Sequence, residues 1–195
     1  MERSQHTTVA IATKLSLPLA ALLGCAPAVV AVPEVCVLAP HIEPTAVSPP
    51  RALVPIARPT LFVREPLAEL RIEQGASPLW SWQSLDGSPL EGPLAWPVAP
   101  LSPGQAVTLR LRPVGAAAGH YASIRLQAAP RERLRDSGAL LQSLAARPAA
   151  WRPTIDGLLT KGDRALATAL LFAQEGPNEP SLNALRLLVA QQSCP

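Results

Sequence analysis

A chain of 195 residues, 48% of them hydrophobic, can build one ordinary domain with a true core, or a small domain with an appendage. Its net charge is +3, and beyond residue 31 it is +2, from 15 basic against 13 acidic residues; that is too weak and too dispersed for a nucleic-acid footprint. The 23 prolines, each lacking an amide proton and fixing φ, exclude long helices before about residue 130.

Only Lys14 and Lys161 are lysines, so the basic residues are nearly all arginine. With the excess of Ala, Pro, Leu and Gly, that bias reads as mutational. The densest cluster, Arg131, Arg133 and Arg135, is interrupted by Glu132 and followed by Asp136.

The chain opens with a basic segment, Arg3 and Lys14, ahead of an apolar run from Leu15 to Leu23. Nine residues rising about 1.5 Å each reach about 14 Å, half of a bilayer's hydrocarbon core. Pro18, Pro27 and Pro33 break any longer helix. A permanent span is the poorer reading, and the pattern predicts an export signal over 1–31. Two processing routes compete. Val29-Val30-Ala31 and Ala26-Pro27-Ala28 place small residues as signal peptidase requires; alternatively Leu22-Leu23-Gly24-Cys25 resembles a bacterial lipobox, making Cys25 the lipidation candidate. Either route leaves one cysteine pair, Cys36 and Cys194, as a candidate disulfide clipping the chain ends in an oxidising compartment. Two unrelated thiols are the other reading. No Cys-x-x-Cys occurs, so metal and redox chemistry find no support.

Residues 32–50, with Pro40, Pro44, Pro49 and Pro50, predict an extended, polyproline-like tether in which His41 sits. From 51 to 128, short apolar runs alternate with turn signals. "RALVPIA" (Arg51 to Ala57) reads as an edge strand and "TLFVREP" as a second. "AELRIE" sets Ala68, Leu70 and Ile72 against Glu69, Arg71 and Glu73, a half-buried strand. "PLWSWQS" places Trp80 and Trp82 on one face, and Asp86-Gly87 is a hairpin cue. "AVTLRLR" and "HYASIRLQA" alternate in the same way, the second bringing in His120 and Tyr121. Six or seven strands at this spacing predict an antiparallel sandwich, Ig-like or an open barrel.

"RALVPIARPTLFVREP", "LWSWQSLDGSPL" and "LSPGQAVTLRLRP" together resemble a family of exported β-domains, itself uncharacterised and known mainly from cyanobacteria. The matching residues are Ala52 to Pro55, Pro59-Thr60, Asp86-Gly87 and Leu101 to Gly104, within 51–126. Phe62 stands where that family has several aromatics. The resemblance implies location and fold, with no catalytic residue to carry over.

Two groups on the sheet are candidate ligand contacts. Trp80 and Trp82, with Tyr121, could stack on sugar rings, against the plainer role of filling core volume. Arg110, Arg112 and Arg125 share a face if their strands pair, and could draw an anionic polymer, against the plainer role of a solvated face paired with Glu69 and Glu73.

After Pro130 the period becomes helical, predicting a C-terminal helical subdomain over 129–195. "RERLRDSGALLQSLAARP" carries Leu134, Leu141 and Leu144 at helical spacing. "WRPTIDGLLTKG" puts Pro153 in a first turn and Gly162 at a stop. "DRALATALLFAQEG" offers Asp163 as N-cap and Gly176 as its end, and "PSLNALRLLVAQQ" opens on Pro180 and Ser181. "LLTKGDRALATALLFAQEGP" echoes a tetratricopeptide hairpin at Gly162 and Ala167, but without a second copy it reads as an ordinary helical hairpin.

No nucleophile elbow, zinc-protease pair, phosphate loop or dinucleotide fingerprint is present. Ser137 beside Asp136, or Ser88, would need His120 as base. The expectation is therefore α+β, without catalytic, cofactor or metal site. It is an interaction or structural module of the cell envelope, periplasmic or extracellular, with a protein or polysaccharide partner. Membrane contact would come only through the signal or a lipid anchor. A carbohydrate- or anionic-polymer-binding module is the alternative, and a serine hydrolase the third reading.

Overall fold

Eight strands and four helices form from the described residues of the computed structural model, 35–43 and 48–192. The expected signal over 1–31, its cleavage sites, Cys25 and Cys194 lie outside them. The strands are β1 (Val37–Ala39), β2 (Arg51–Val54), β3 (Leu61–Val63), β4 (Leu67–Gln74), β5 (Ser77–Gln83), β6 (Pro93–Leu94), β7 (Ala106–Pro113) and β8 (Ala122–Ala128). They make two sheets, one of five strands ordered β2-β8-β7-β4-β5 and one of three ordered β1-β3-β6.

The period-two reading holds along β7 and β8 and over Leu70 to Ile72 of β4, where Glu69 is buried as well and Ala68 only half-buried. Val107, Leu109 and Leu111 of β7 are buried beside Ile124 and Leu126 of β8 and Leu70 and Ile72 of β4. Their neighbours in sequence take the other face. Before β7, Gly104 turns the chain at φ +73 while Leu101 is buried below it.

Three local expectations are corrected. The sheet is not wholly antiparallel, because β2 pairs parallel with β8, Ala52 against Leu126 and Val54 against Ala128. This register keeps the buried residues of both strands on one face at the edge that β8 leaves open. Asp86-Gly87 does not close a hairpin, since β5 and β6 belong to different sheets. Asp86 Oδ1 accepts from the Ser88 N–H at 3.0 Å, and the turn carries the chain from one sheet to the other. The actual hairpin joins β4 to β5 through Gly75-Ala76, with Gly75 at φ +62. Finally, part of the segment expected as a tether is strand: β1 pairs with β3, and Leu38 and Ala39 are buried.

Strand β3 divides two cores. Leu61 and Val63 join the inner face of the five-stranded sheet, together with Trp96 and Leu101. Phe62, pointing the other way, packs among the helices, its ring 5.2 Å from that of Phe172 in an edge-to-face arrangement.

The helices are α1 (Arg131–Ala145), α2 (Trp151–Thr160), α3 (Arg164–Leu171) and α4 (Pro180–Gln192), with a 3-10 turn (Pro148–Ala150) leading into α2. They close their core with Leu38, Ala39 and Ile56 from the strand region. The described residues accordingly fall within one compact unit. In α1, Leu134 reaches the sheet core while Leu141 and Leu144 face the helical one. The Trp151 indole N–H donates to the Leu144 carbonyl at 2.9 Å, tying α2 to the end of α1.

Asp163 caps α3 as expected, its Oδ1 accepting from the Leu166 N–H at 3.2 Å, after Gly162 turns at φ +79. The helix stops at Leu171, short of the expected Gly176. Phe172 leaves helical geometry to reach Phe62, and the Arg186 Nε–H of α4 takes over the Leu171 carbonyl at 2.8 Å. Among the described residues, no helix is long and apolar enough to cross a membrane.

Candidate functional site

With β4, β7 and β8 burying one face, alternation sends Glu69, Arg71, Glu73, Thr108, Arg110, Arg112, Ser123 and Arg125 to the other. Among the described residues, the buried apolar clusters lie on the opposite face, and Arg110 and Arg125 here are exposed. The face is a polar surface carried on the central strands of the five-stranded sheet.

Its centre is Glu69, 5% exposed. Arg71 Nε–H donates to one carboxylate oxygen at 2.6 Å and Arg112 Nε–H to the other at 3.1 Å. The Arg71 guanidinium carbon also lies 5.0 Å from the Tyr121 ring centre, which places that phenol beside the cluster. Burial by itself would raise the Glu69 carboxyl, but the polar neighbours Tyr121, Arg71 and Arg112 outweigh it and hold it below the ordinary value. For Tyr121 the same burial, with the neighbouring carboxylate, pushes the phenol up.

One step along the sheet, Arg110 stands directly opposite Arg71. Like charges in that position repel; here Glu73 relieves them, its carboxylate accepting from the Arg110 Nε–H at 3.2 Å, with Ser123 accepting a further bond. The β2–β8 edge has no such relief. Arg51 and Arg125 face each other in register, both exposed, and neither forms an ion pair among the described residues. Glu43, bridged to Arg51 at the margin, makes no ion pair with it. Five arginines thus share the face with Glu69, Glu73 and, at the edge, Glu43.

The expected candidates separate accordingly. Arg110, Arg112 and Arg125 do share a face, but Arg112 is spent on Glu69 and the Ala116 carbonyl, leaving Arg125 as the open cation. Trp80 and Trp82 lie opposite Ile72 and Leu70, on the core side of β5, so they cannot join the arginines in one site. Both are half-buried, Trp80 packing on the margin of the core. Tyr121 is on the arginine face, away from them. The tryptophans that fill core volume are Trp96 and Trp151. Arg51 was missed by sequence reasoning; its partner across the sheet is a parallel strand more than 70 residues on, which no local pattern announces.

The hydrolase candidates do not assemble. Ser137 is 1% exposed inside α1, and its hydroxyl has no hydrogen-bond partner among the described residues. Ser88 is in the exposed Asp86 turn, and His120 in the loop before β8. No hydrogen bond links the three. Among the described residues, no group of three His, Cys, Asp or Glu side chains could hold a metal ion.

No family model, curated protein or solved structure matches this chain.

Proposed function

We propose that this chain is a non-catalytic interaction module of the cell envelope, periplasmic or secreted, working through the open face of its five-stranded sheet. The observation that carries this reading is the in-register Arg51–Arg125 pair, exposed and, among the described residues, without an ion pair, beside Arg71, Arg110 and Arg112, which are each held by a carboxylate. Repelling cations on a rigid sheet favour an anionic occupant. Export is supported by the basic and apolar N-terminal pattern, and the reading includes a disulfide at Cys36. Cys194 is its proposed partner and Cys25 the lipid-bearing residue, should the lipobox route apply. The fold reads further as a sandwich, with the exported β-domain family it resembles over 51–126 as the proposed relative.

The primary occupant is an envelope protein with an acidic surface. A second reading, an acidic polysaccharide, is favoured by exposed Arg125, whose planar guanidinium suits carboxylates. Capture from envelope extracts should recover a partner that the Arg51→Glu, Arg125→Glu double variant loses. Protease treatment abolishing that capture identifies the protein; a protease-resistant, acidic-glycan signal identifies the polysaccharide. Capture insensitive to the two arginines would contradict both.

A further inference from the structure

Strand β5 ends the five-stranded sheet, bonded to β4 on one side only. The Ser84 N–H donates to the Ala68 carbonyl at 3.1 Å. Alternation along the ladder then turns the amides and carbonyls of Trp82 and Trp80 toward β4, and those of Ser81 and Gln83 outward. Among the described residues, these outward groups have no backbone partner.

Natural edge strands are guarded by charges, prolines or bulges. Here the guards, Pro78 and the irregularity at Ile72/Glu73, sit at the hairpin end. The stretch 77–85, SPLWSWQSL, has no charged residue. Leu79 is 42% exposed and Leu85 95%, with Trp80 and Trp82 half-buried between them.

We propose that this edge pairs with the same edge of a second copy, antiparallel about a two-fold axis at Ser81. In that register the two Ser81 residues exchange N–H···O=C bonds. Trp80 of each copy faces Trp82 of the other on the core side, Leu79 faces Gln83 on the solvated side, and Ser77 faces Leu85. Cross-strand aromatic pairs stabilise a ladder, and a two-fold sets every residue against the strand's own composition. A charged edge would repel itself; this one carries nothing to repel. The complementarity of Trp80 to Trp82 is a property of the strand with itself, which selects a copy over a foreign strand. The dimer continues the sheet across the axis and leaves both arginine faces on one side. It rests on β5, not on the arginines.

Light scattering on the purified protein should give a dimer across the micromolar range. Ser81→Glu keeps the single copy intact, because the new carboxylate stands opposite Arg71, but sets two carboxylates together at the axis. Its dimer dissociation constant should rise about tenfold or more, with an unchanged circular dichroism spectrum. Mixing Ser81→Glu with Ser81→Lys should restore the dimer. A monomeric wild-type protein would overturn the proposal, as would a dimer that Ser81→Glu leaves untouched while folding normally.

Discussion

Burying a carboxylate beneath two guanidinium groups makes Glu69 the residue on which the geometry of the open face depends. Glu69→Gln keeps the shape and removes the charge, leaving Arg112, 15% exposed in its side chain, short of its counter-ion. The expected cost is about 1–3 kcal/mol, read as a lowered urea midpoint with unchanged m-value. The carboxyl is depressed on folding, so its contribution is complete above the unfolded value of about 4.3 and disappears as pH falls through the lower folded value. His41 adds an earlier acid step. Burial first, then the Arg164 charge, lower its pKa against the opposing Glu43. Its neutral form is favoured on folding, so stability should begin to fall as pH drops below about 6.5. Urea titrations from pH 8 to pH 3 should show the first loss abolished in His41→Gln and the second reduced in Glu69→Gln.

At the level of elements, Asp163 carries more than its neighbours. It caps α3 through the Leu166 N–H and pairs with Arg133 of α1. Asp163→Ala should cost about 1–2 kcal/mol, while Asp163→Asn, retaining the cap, should lose less; thermal denaturation of the two variants separates cap from ion pair. That cap was legible beforehand because Gly162-Asp163 ahead of an apolar run is a local signal. The long strands were legible for the same reason, their two-residue alternation being local. What stayed hidden is non-local. Nothing in "RALV" announces a parallel partner at β8, and nothing near Asp86 announces that its flanking strands enter different sheets. Composition misled as well: the prolines of the supposed tether concealed β1, because Val37-Leu38-Ala39 is short and its partners lie at β3 and in the helices. The candidate face was half legible, its arginines visible and their division into held and open cations not.

For the whole molecule, the two cores and the proposed export belong together. The first strand and the helices share one core, so the two ends of the folded unit are tied through Leu38, Ala39 and Leu182. A Cys36–Cys194 bridge would close the same ends covalently, limiting the unfolded chain by up to about 5 kcal/mol in the loop-entropy view. The most direct test is the intact mass of the protein isolated from each fraction of the cells that produce it. The account predicts a chain beginning at acylated Cys25, or at Val29 or Val32 after signal peptidase, and carrying the hydrogen deficit of one disulfide. A full-length chain in the cytosol with every thiol reduced would contradict it.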